Sequence, residues 1–234
     1  MDPMHVLHLG VWKDFCLSAI EMMLVEDVWL LGGDTPEICW SRGSQYLRTI
    51  LPKWYDKKKK CLVPNEVLYE IQDLKPAMLG SLKTPFLAIK AAECSTFIEF
   101  IRDELREVSG RLAKGSAVLV LGEALVSFRD QMRYGPRTFS IHQQQRFCDT
   151  AARAFSVRLE AGVRFYPKWH MMLHIASDSK RIGNPKFWST FLDESYNGRV
   201  ASIAGKLHRS TWYDRLLGTF RSLYSSGSKR LRSA

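Results

Sequence analysis

The sequence lacks the features that mark several common protein classes. None of its five cysteines belongs to a CxxC pair, and an odd number of scattered cysteines is typical of reduced thiols in an intracellular protein. The N-terminus has no basic segment followed by an apolar one, so we predict no signal peptide. No apolar run approaches the about 20 residues that a membrane-spanning helix needs. We therefore expect a nuclear or cytoplasmic protein with no membrane partner.

Common catalytic and metal-binding signatures are also missing. There is no GxSxG nucleophile elbow and no HExxH zinc motif, and "LGGDTPE" has neither the Walker lysine nor the dinucleotide-binding spacing. Histidines do occur in pairs about one helical turn apart, His5 with His8 and His170 with His174. No further zinc ligands accompany either pair, which favours histidines that are hydrogen-bonded in or beside a helical core over a zinc site.

Acidic residues are outnumbered by basic ones. The sequence has 34 Lys and Arg against 24 Asp and Glu, which gives a net charge of +10. Such a surplus attracts phosphate-bearing or other acidic partners, although it does not choose among them. The densest basic segment is "DKKKKC", with lysines at 57–60. This run fits either a solvated loop or a set of phosphate contacts.

Strand patterns are scarce, and helical periodicity dominates the sequence. Hydrophobic residues make up 46% of the chain and aromatic residues 12%, which is enough for a substantial core. The best strand candidate, "SAVLVLG" at 116–122, lies within helical surroundings, and "SDSKRIGNP" at 177–185 indicates a loop. We predict a mostly α, multi-helix domain. The expected helices cover about 2–31, 34–55, a short segment after Pro64, a long segment ending near Gly110, 113–133, 141–161, 186–206 and 209–224.

Two acidic positions at opposite ends of the chain are candidates for a shared site. Asp2 opens the first expected helix, and Asp193 and Glu194 lie near the start of a late one. Metal-dependent phosphoryl transfer needs carboxylates from separate elements that converge on two ions about 3.5–4 Å apart. Magnesium prefers such oxygen ligands. Helix capping by Asp2, and favourable first-turn charges at Asp193 and Glu194, explain the same residues without a metal.

Four segments carry a resemblance to a known protein family. They are "MDPMHVLHLGVWKDF" (1–15), "PFLAIKAAECSTFIEFI" (85–101), "YPKWHMMLHI" (166–175) and "FLDESYNGRV" (191–200). Segment 1–15 resembles the Asp-x-x-His segment of eukaryotic cut-and-paste DNA transposases with an RNase H-like catalytic domain, closest to CACTA-like and related elements. Segment 85–101 resembles a helix of their inserted region. Segment 166–175 is similar to their "PKxHxLxH" segment, and segment 191–200 resembles their closing glutamate element.

The resemblance implies specific roles for the acidic residues. Asp2 would be the second acidic residue of a D-D-E triad and Glu194 the third, because Glu194 lies four residues before Gly198. Asp2 and Glu194 would hold Mg²⁺ or Mn²⁺, His5 would accompany Asp2, and Asp193 would serve the helix cap. The helices between them would form the all-helical insertion plus the C-terminal catalytic helix, with the β-sheet largely absent.

A counterpart of the family's first catalytic aspartate is not found in this sequence. We therefore expect a transposase-derived fragment that is related to metal-dependent DNA cleavage and strand transfer but is inactive on its own. The alternative is a non-catalytic basic helical module that binds nucleic acid or a protein partner. The expected partners are DNA and either further copies of this chain or an upstream domain of a larger protein.

The resemblance also divides the chain into regions and suggests a DNA-binding surface. We expect a helix with the second acidic motif at 1–31, a helical insertion region at 32–165, C-terminal helices with Glu194 at 166–224 and a flexible basic tail at 225–234. Helix packing is the favoured role of Trp188 and Trp212, and stacking on an unpaired base is the alternative. The candidate phosphate contacts are Lys57, Lys58, Lys59, Lys60, Lys180, Arg181, Arg199, Lys206 and Arg209.

Overall fold

Six α-helices, the first of them preceded by a π-helical segment, form the part of the chain that the structure describes. The computed structural model describes residues 2–62 and 66–190. Within these ranges there is no β-strand, only an isolated bridge between Gly80 and Pro85. The mostly α fold class is therefore confirmed. The elements are a π-helical segment Met4–Val11, α1 Trp12–Val25, α2 Pro36–Lys59, α3 Ala91–Val108, α4 Gly115–Tyr134, α5 Ile141–Ala161 and α6 Pro167–Ile182, with 3₁₀ turns at Pro76–Leu79, Ser109–Arg111 and Pro185–Phe187.

Helix boundaries with strong local signals lie where the sequence predicts them. The start of α5 is a capping box, in which Ser140 Oγ accepts from the Gln143 backbone N–H at 3.3 Å and the Gln143 side chain accepts from the Ser140 N–H at 2.9 Å. Its end is Gly162, which has a left-handed φ of 72°. The predicted range 141–161 is thus confirmed. The strand candidate at 116–122 is helical and belongs to α4.

The first predicted helix ends earlier than expected. Instead of reaching Leu31, α1 stops at Val25. Asp27 adopts a positive φ of 42°, and its carboxylate accepts hydrogen bonds from the backbone N–H groups of Leu31 and Gly32, both at 3.1 Å. An aspartate that binds nearby backbone groups in this way offers the chain a turn in place of another helical turn.

Two other secondary-structure predictions are wrong. The described part of the segment after Pro64, residues 66–75, contains no helix. Its backbone donors bind distant side chains instead, because the Tyr69 N–H donates to Thr96 Oγ1 at 3.2 Å and the Ile71 N–H donates to Tyr55 Oη at 3.1 Å. The expected loop at 177–185 is largely helical, since α6 continues to Ile182 before the chain turns at a glycine.

The helices pack around α3. This helix lies against α1, α4 and the π-helical segment, while α5 packs on α4, and α6 packs on both α5 and the π-helical segment. The described residues up to Ser189 belong to one compact unit. None of the described helices is both long and apolar enough to cross a membrane. The largest fully buried side chains are Trp12, Phe15, Phe97, Phe100, Phe128, Phe147 and Trp169.

A buried cluster of charged side chains joins α2, α3 and α4. Arg129 is only 3% exposed, and its guanidinium donates to Glu99 Oε2 at 3.0 Å and to the Ser95 carbonyl at 2.7 Å. Lys58 pairs with the other oxygen of Glu99. Burial alone would raise the pKa of Glu99, but Arg129 and Lys58 outweigh burial and hold the pKa below its usual value. Glu99 is therefore a charged core residue held mainly by Arg129 and Lys58, with Arg102 Nη2 3.8 Å from its Oε1.

We predict that Glu99→Gln destabilises the fold strongly. It removes one of the two carboxylates that bind the buried Arg129 guanidinium and leaves only the pair with Asp130 at 2.6 Å. The free energy of unfolding should therefore fall by about 3 kcal/mol in urea unfolding, the lower end of the cost of breaking a buried ion pair. Glu123→Gln is the matched control, because Glu123 binds Arg102 and Arg106 at a half-exposed position. A surface pair of that kind contributes about 1 kcal/mol or less. Equal losses in the two variants would contradict a core role for Glu99.

Candidate functional site

Asp2 and His5 form a side-chain pair at the start of the π-helical segment. The Asp2 carboxylate accepts from the His5 backbone N–H at 3.0 Å and from the Met4 N–H at 3.4 Å. Its Oδ2 also lies against Nδ1 of the His5 ring. The backbone bonds make Asp2 a helix cap, as the simpler interpretation of the sequence predicts. They also fix the orientation of a carboxylate and an imidazole side by side, with His5 exposed to solvent.

The π-helical conformation extends over the eight residues that follow Pro3. Such helices are rare, and they occur mostly as single turns at functional sites. Lys168 of α6 crosses this segment at Gly10 and donates from Nζ to the Leu9 carbonyl at 3.0 Å. A Cβ atom at Gly10 would lie 2.3 Å from Cδ of Lys168, which is far inside contact distance. Gly10 is therefore needed for α6 to approach this closely.

His8 holds the other side of the same segment. It is buried, its Nδ1–H donates to the Ala91 carbonyl at the start of α3 at 3.0 Å, and its ring packs against Trp12 with centroids 4.0 Å apart. The pKa of His8 is lowered from 6.5 to about 3, mainly by burial and to a smaller extent by the positive charge of Arg129. The hydrogen bond to Ala91 and the charge of Asp2 act in the opposite direction. His8 is consequently neutral at physiological pH.

Three of the four segments that carry the resemblance thus meet at one place. Segment 1–15 reaches segment 85–101 through His8 and Ala91, and it reaches segment 166–175 through Leu9 and Lys168. These contacts join residues 83 and 159 positions apart in the sequence. The fourth segment, with Asp193 and Glu194, lies outside the described residues.

Side chains that could bind a metal ion lie close together as pairs, not as larger groups, in the described residues. No group of three or more His, Cys, Asp or Glu side chains converges in residues 2–62 and 66–190. Asp2 and His5 are one such pair. In the second pair, Nε2 of His170 and Nε2 of His174 lie 2.9 Å apart on α6. A metal site at Asp2 therefore needs a ligand from beyond the described part of the chain.

The lysine run is less available to phosphates than its sequence suggests. The predicted loop is wrong for Lys57, Lys58 and Lys59, because these three residues form the end of α2. Lys58 pairs with Glu99, and Lys59 Nζ lies 2.9 Å from Glu70 Oε2. Lys57, Lys59 and Lys60 are exposed to solvent. The ion pairs neutralise half of the run's charge.

The remaining predicted contacts are divided between the end of α6 and the undescribed part of the chain. Lys180 and Arg181 are basic residues in the last turn of α6, and both are exposed. Trp188 donates from Nε1 to the Gly183 carbonyl at 3.1 Å and packs against the core, in agreement with the favoured packing role. Arg199, Lys206, Arg209 and Trp212 lie outside the described residues.

Sequence reasoning missed the residues that hold the π-helical segment in place. In the sequence His8 is only half of a histidine pair, and Lys168 is only one letter of the "PKxHxLxH" segment. Gly10 carried a usable signal, since a glycine inside an apolar helical pattern often marks a close approach of another element. Arg129 carried none, because nothing in the local sequence distinguishes a buried arginine from an exposed one.

Comparison with known proteins adds no further information about this site. No family model, no curated protein and no solved structure matches the chain. The functional interpretation therefore rests on the chain's own geometry and on the motifs that its sequence carries.

We predict that Gly10→Ala destabilises the protein through Lys168. Alanine normally stabilises a helix over glycine by about 0.5–1 kcal/mol, but here its Cβ would displace Lys168 from the Leu9 carbonyl. We expect a net loss of about 1–2 kcal/mol in urea unfolding. Gly110→Ala is the matched control, because a Cβ there would meet nothing within 4 Å.

The same interaction can be isolated with a double-mutant cycle. Lys168→Ala removes the hydrogen bond to Leu9 and the Cδ and Cγ atoms that Gly10→Ala would meet, and it leaves only the Cβ at 3.1 Å. In the Lys168→Ala background, Gly10→Ala should therefore cost about 1 kcal/mol less than in the wild type. Additive losses would show that Lys168 and Gly10 do not interact.

We also predict an acid-dependent loss of stability that originates at His8. Its pKa is 6.5 in the unfolded chain and about 3 in the folded one, so the unfolded chain binds more protons between these values. The stability contributed by neutral His8 is complete above pH 6.5 and is lost as the pH falls toward 3. At about 1.4 kcal/mol per pKa unit, the full loss is roughly 5 kcal/mol. His8→Gln should flatten this part of the pH profile of unfolding free energy.

Asp14 contributes to the same profile with the opposite sign. Burial raises the pKa of Asp14 from 3.8 to about 6, against the opposing charges of Lys168 and Lys13. Its contribution to stability therefore falls as the pH rises through that range. Asp14 is present in both proteins, so the difference between their profiles isolates His8. His142→Gln, which removes an exposed imidazole, is the control, and parallel wild-type and His8→Gln profiles would contradict a buried neutral His8.

Proposed function

We propose that this chain is a transposase-derived helical domain, in which Asp2 and His5 form one side of a divalent-metal site at a DNA phosphodiester. The observation that supports this proposal is the meeting of three resemblance segments around the residues that follow Asp2. The contacts lie at His8 and Leu9, within two turns of the partly buried Asp2 carboxylate and the exposed His5 imidazole.

The donor atoms of the pair suit a divalent ion. The Asp2 carboxylate is a hard oxygen ligand of the kind that Mg²⁺ and Mn²⁺ prefer, and His5 adds an imidazole nitrogen. Two backbone N–H groups already orient the carboxylate, so metal binding would require little further ordering. In this proposal Glu194 supplies the second carboxylate. The ion would stabilise the charge that develops on the attacking and leaving oxygens of a phosphodiester.

The isolated chain would bind DNA rather than cut it. Two-metal phosphoryl transfer in the family that the sequence resembles uses three carboxylates, and this sequence offers counterparts of two. The net charge of +10 would supply long-range attraction to the DNA backbone whether or not a metal is bound. DNA binding and metal binding are therefore separable properties of this proposal.

A non-catalytic basic helical module is the second candidate function. One observation favours it, namely that Asp2 is already used as a helix cap by the Met4 and His5 backbone groups. A cap needs no metal, and the same basic surface would then bind nucleic acid or a protein partner without any role for Glu194.

Mn²⁺ binding distinguishes the two functions. We expect the intensity of the free-ion electron paramagnetic resonance signal to show binding by the wild-type chain, and at least about tenfold weaker binding by Asp2→Asn and by Glu194→Gln. Asn is as good a helix cap as Asp, so Asp2→Asn should keep the fold while it removes the charged ligand. Asp34→Asn, which removes an exposed carboxylate before α2, is the matched control.

The contrary result is equally clear. If Asp2→Asn, Glu194→Gln and Asp34→Asn all bind Mn²⁺ like the wild type, there is no site shared by Asp2 and Glu194. DNA binding that persists unchanged in EDTA and in Glu194→Gln would then identify the chain as the non-catalytic module.

A further inference from the structure

The exposed face of α5 carries a basic stripe that sequence analysis did not single out. His142, Arg146, Asp149 and Arg153 follow one another at intervals of four, three and four residues, which places them on one side of the helix. These four residues line a shallow depression of about 390 Å³ together with Gln145 and Thr150. The stripe is therefore a surface that a partner could reach.

The positive charges of the two arginines in this stripe are not balanced by ion pairs in the described ranges. In the described ranges, neither Arg146 nor Arg153 forms an ion pair with an acidic side chain, in contrast to Lys58 and Lys59 of the lysine run. Asp149 is the one acidic residue that lines the depression, and its Oδ1 accepts from Gln145 Nε2 at 2.8 Å. The depression therefore has two available cations and one carboxylate between them.

The spacing of the arginines suits a phosphate backbone. Seven residues of α-helix separate their Cα atoms by about 10 Å along the axis. This is about the rise of three base pairs along one DNA strand. Guanidinium groups bind phosphate oxygens through two parallel hydrogen bonds, which makes arginine well suited to such contacts. The helix itself is rigidly placed, because its other face packs against α4 and α6.

We propose that this face of α5 is a docking surface for the phosphate backbone of nucleic acid, with Arg146 and Arg153 as the contacts and Asp149 as a charge that limits the affinity. The inference rests on the DNA-binding part of the proposed function and not on the metal site. It places the docking surface on α5 rather than on the lysine run of α2.

Salt dependence of duplex binding tests the surface directly. The affinity of the full chain for a fluorescently labelled DNA duplex is measured by anisotropy over a range of salt concentrations. Each lost phosphate contact lowers the slope of log affinity against log salt by about one, so Arg146→Gln/Arg153→Gln should lower it by about two. Between about 50 and 200 mM salt, the wild type should then lose about tenfold more affinity than the double variant.

A matched variant separates location from net charge. Lys75→Gln/Lys83→Gln removes the same charge from exposed positions between α2 and α3, and it should leave the slope nearly unchanged. Asp149→Asn should raise the affinity several-fold, because it removes a negative charge that faces the phosphates. Thermal unfolding of each variant should match the wild type, because substitutions on the outer face of α5 leave its packed face intact.

Three outcomes would overturn the inference, and one of them would also contradict the DNA-binding part of the proposed function. If the wild type binds the duplex and both double variants change its slope equally, the α5 surface is wrong while DNA binding stands. If poly-glutamate of equal charge binds Arg146 and Arg153 as tightly as the duplex does, the surface serves an acidic protein partner. If the wild type does not bind the duplex even at low salt, the DNA-binding part of the proposed function fails with it.

Discussion

The structure depends on a carboxylate placed where carboxylates are rarely found. Glu99 lies in the core between Arg129 and Lys58, so three helices meet on charges that satisfy one another. The positive charge of Arg129 also reaches His8 and helps to keep its ring neutral. Neutral His8 then packs against Trp12 and donates to Ala91. The cluster of charged side chains and the π-helical segment are thus linked through α3 and through the charge of Arg129, with burial as the main cause of the neutral His8 ring.

The segment is fixed on two sides by side chains that bind main-chain carbonyls. His8 donates to Ala91 of α3, and Lys168 donates to Leu9 from α6. One contact runs from the segment to the backbone of α3 and the other from α6 to the backbone of the segment, so the segment is held between the two helices. The partly buried Asp2 and the exposed His5 therefore lie side by side next to a firmly held segment, which is compatible with the proposed ligand site.

Local chemistry could be predicted from the sequence, and distant contacts could not. Ser140 with Gln143 identified the start of α5 because a capping box is complete within four residues. Residues 66–75 were mispredicted because their backbone donors are satisfied by Thr96 and Tyr55, far away in the sequence. The early end of α1 depends on the backbone conformation of Asp27, which the hydrophobic periodicity does not report. Of the candidate site, the sequence indicated Asp2 and His5, but not the contacts that hold them.

The same limit applies to charge. A run of four lysines is the densest basic feature of the sequence, yet two of them pair with Glu70 and Glu99 once the chain is folded. Arg146 and Arg153 are separated by seven positions and do not form a run, but folding places both beside one depression on one side of α5. The charge available to a partner is the charge that remains after ion pairs within the protein have formed. We therefore base the proposed docking surface on isolated arginines at helical spacing and not on the densest cluster of basic residues.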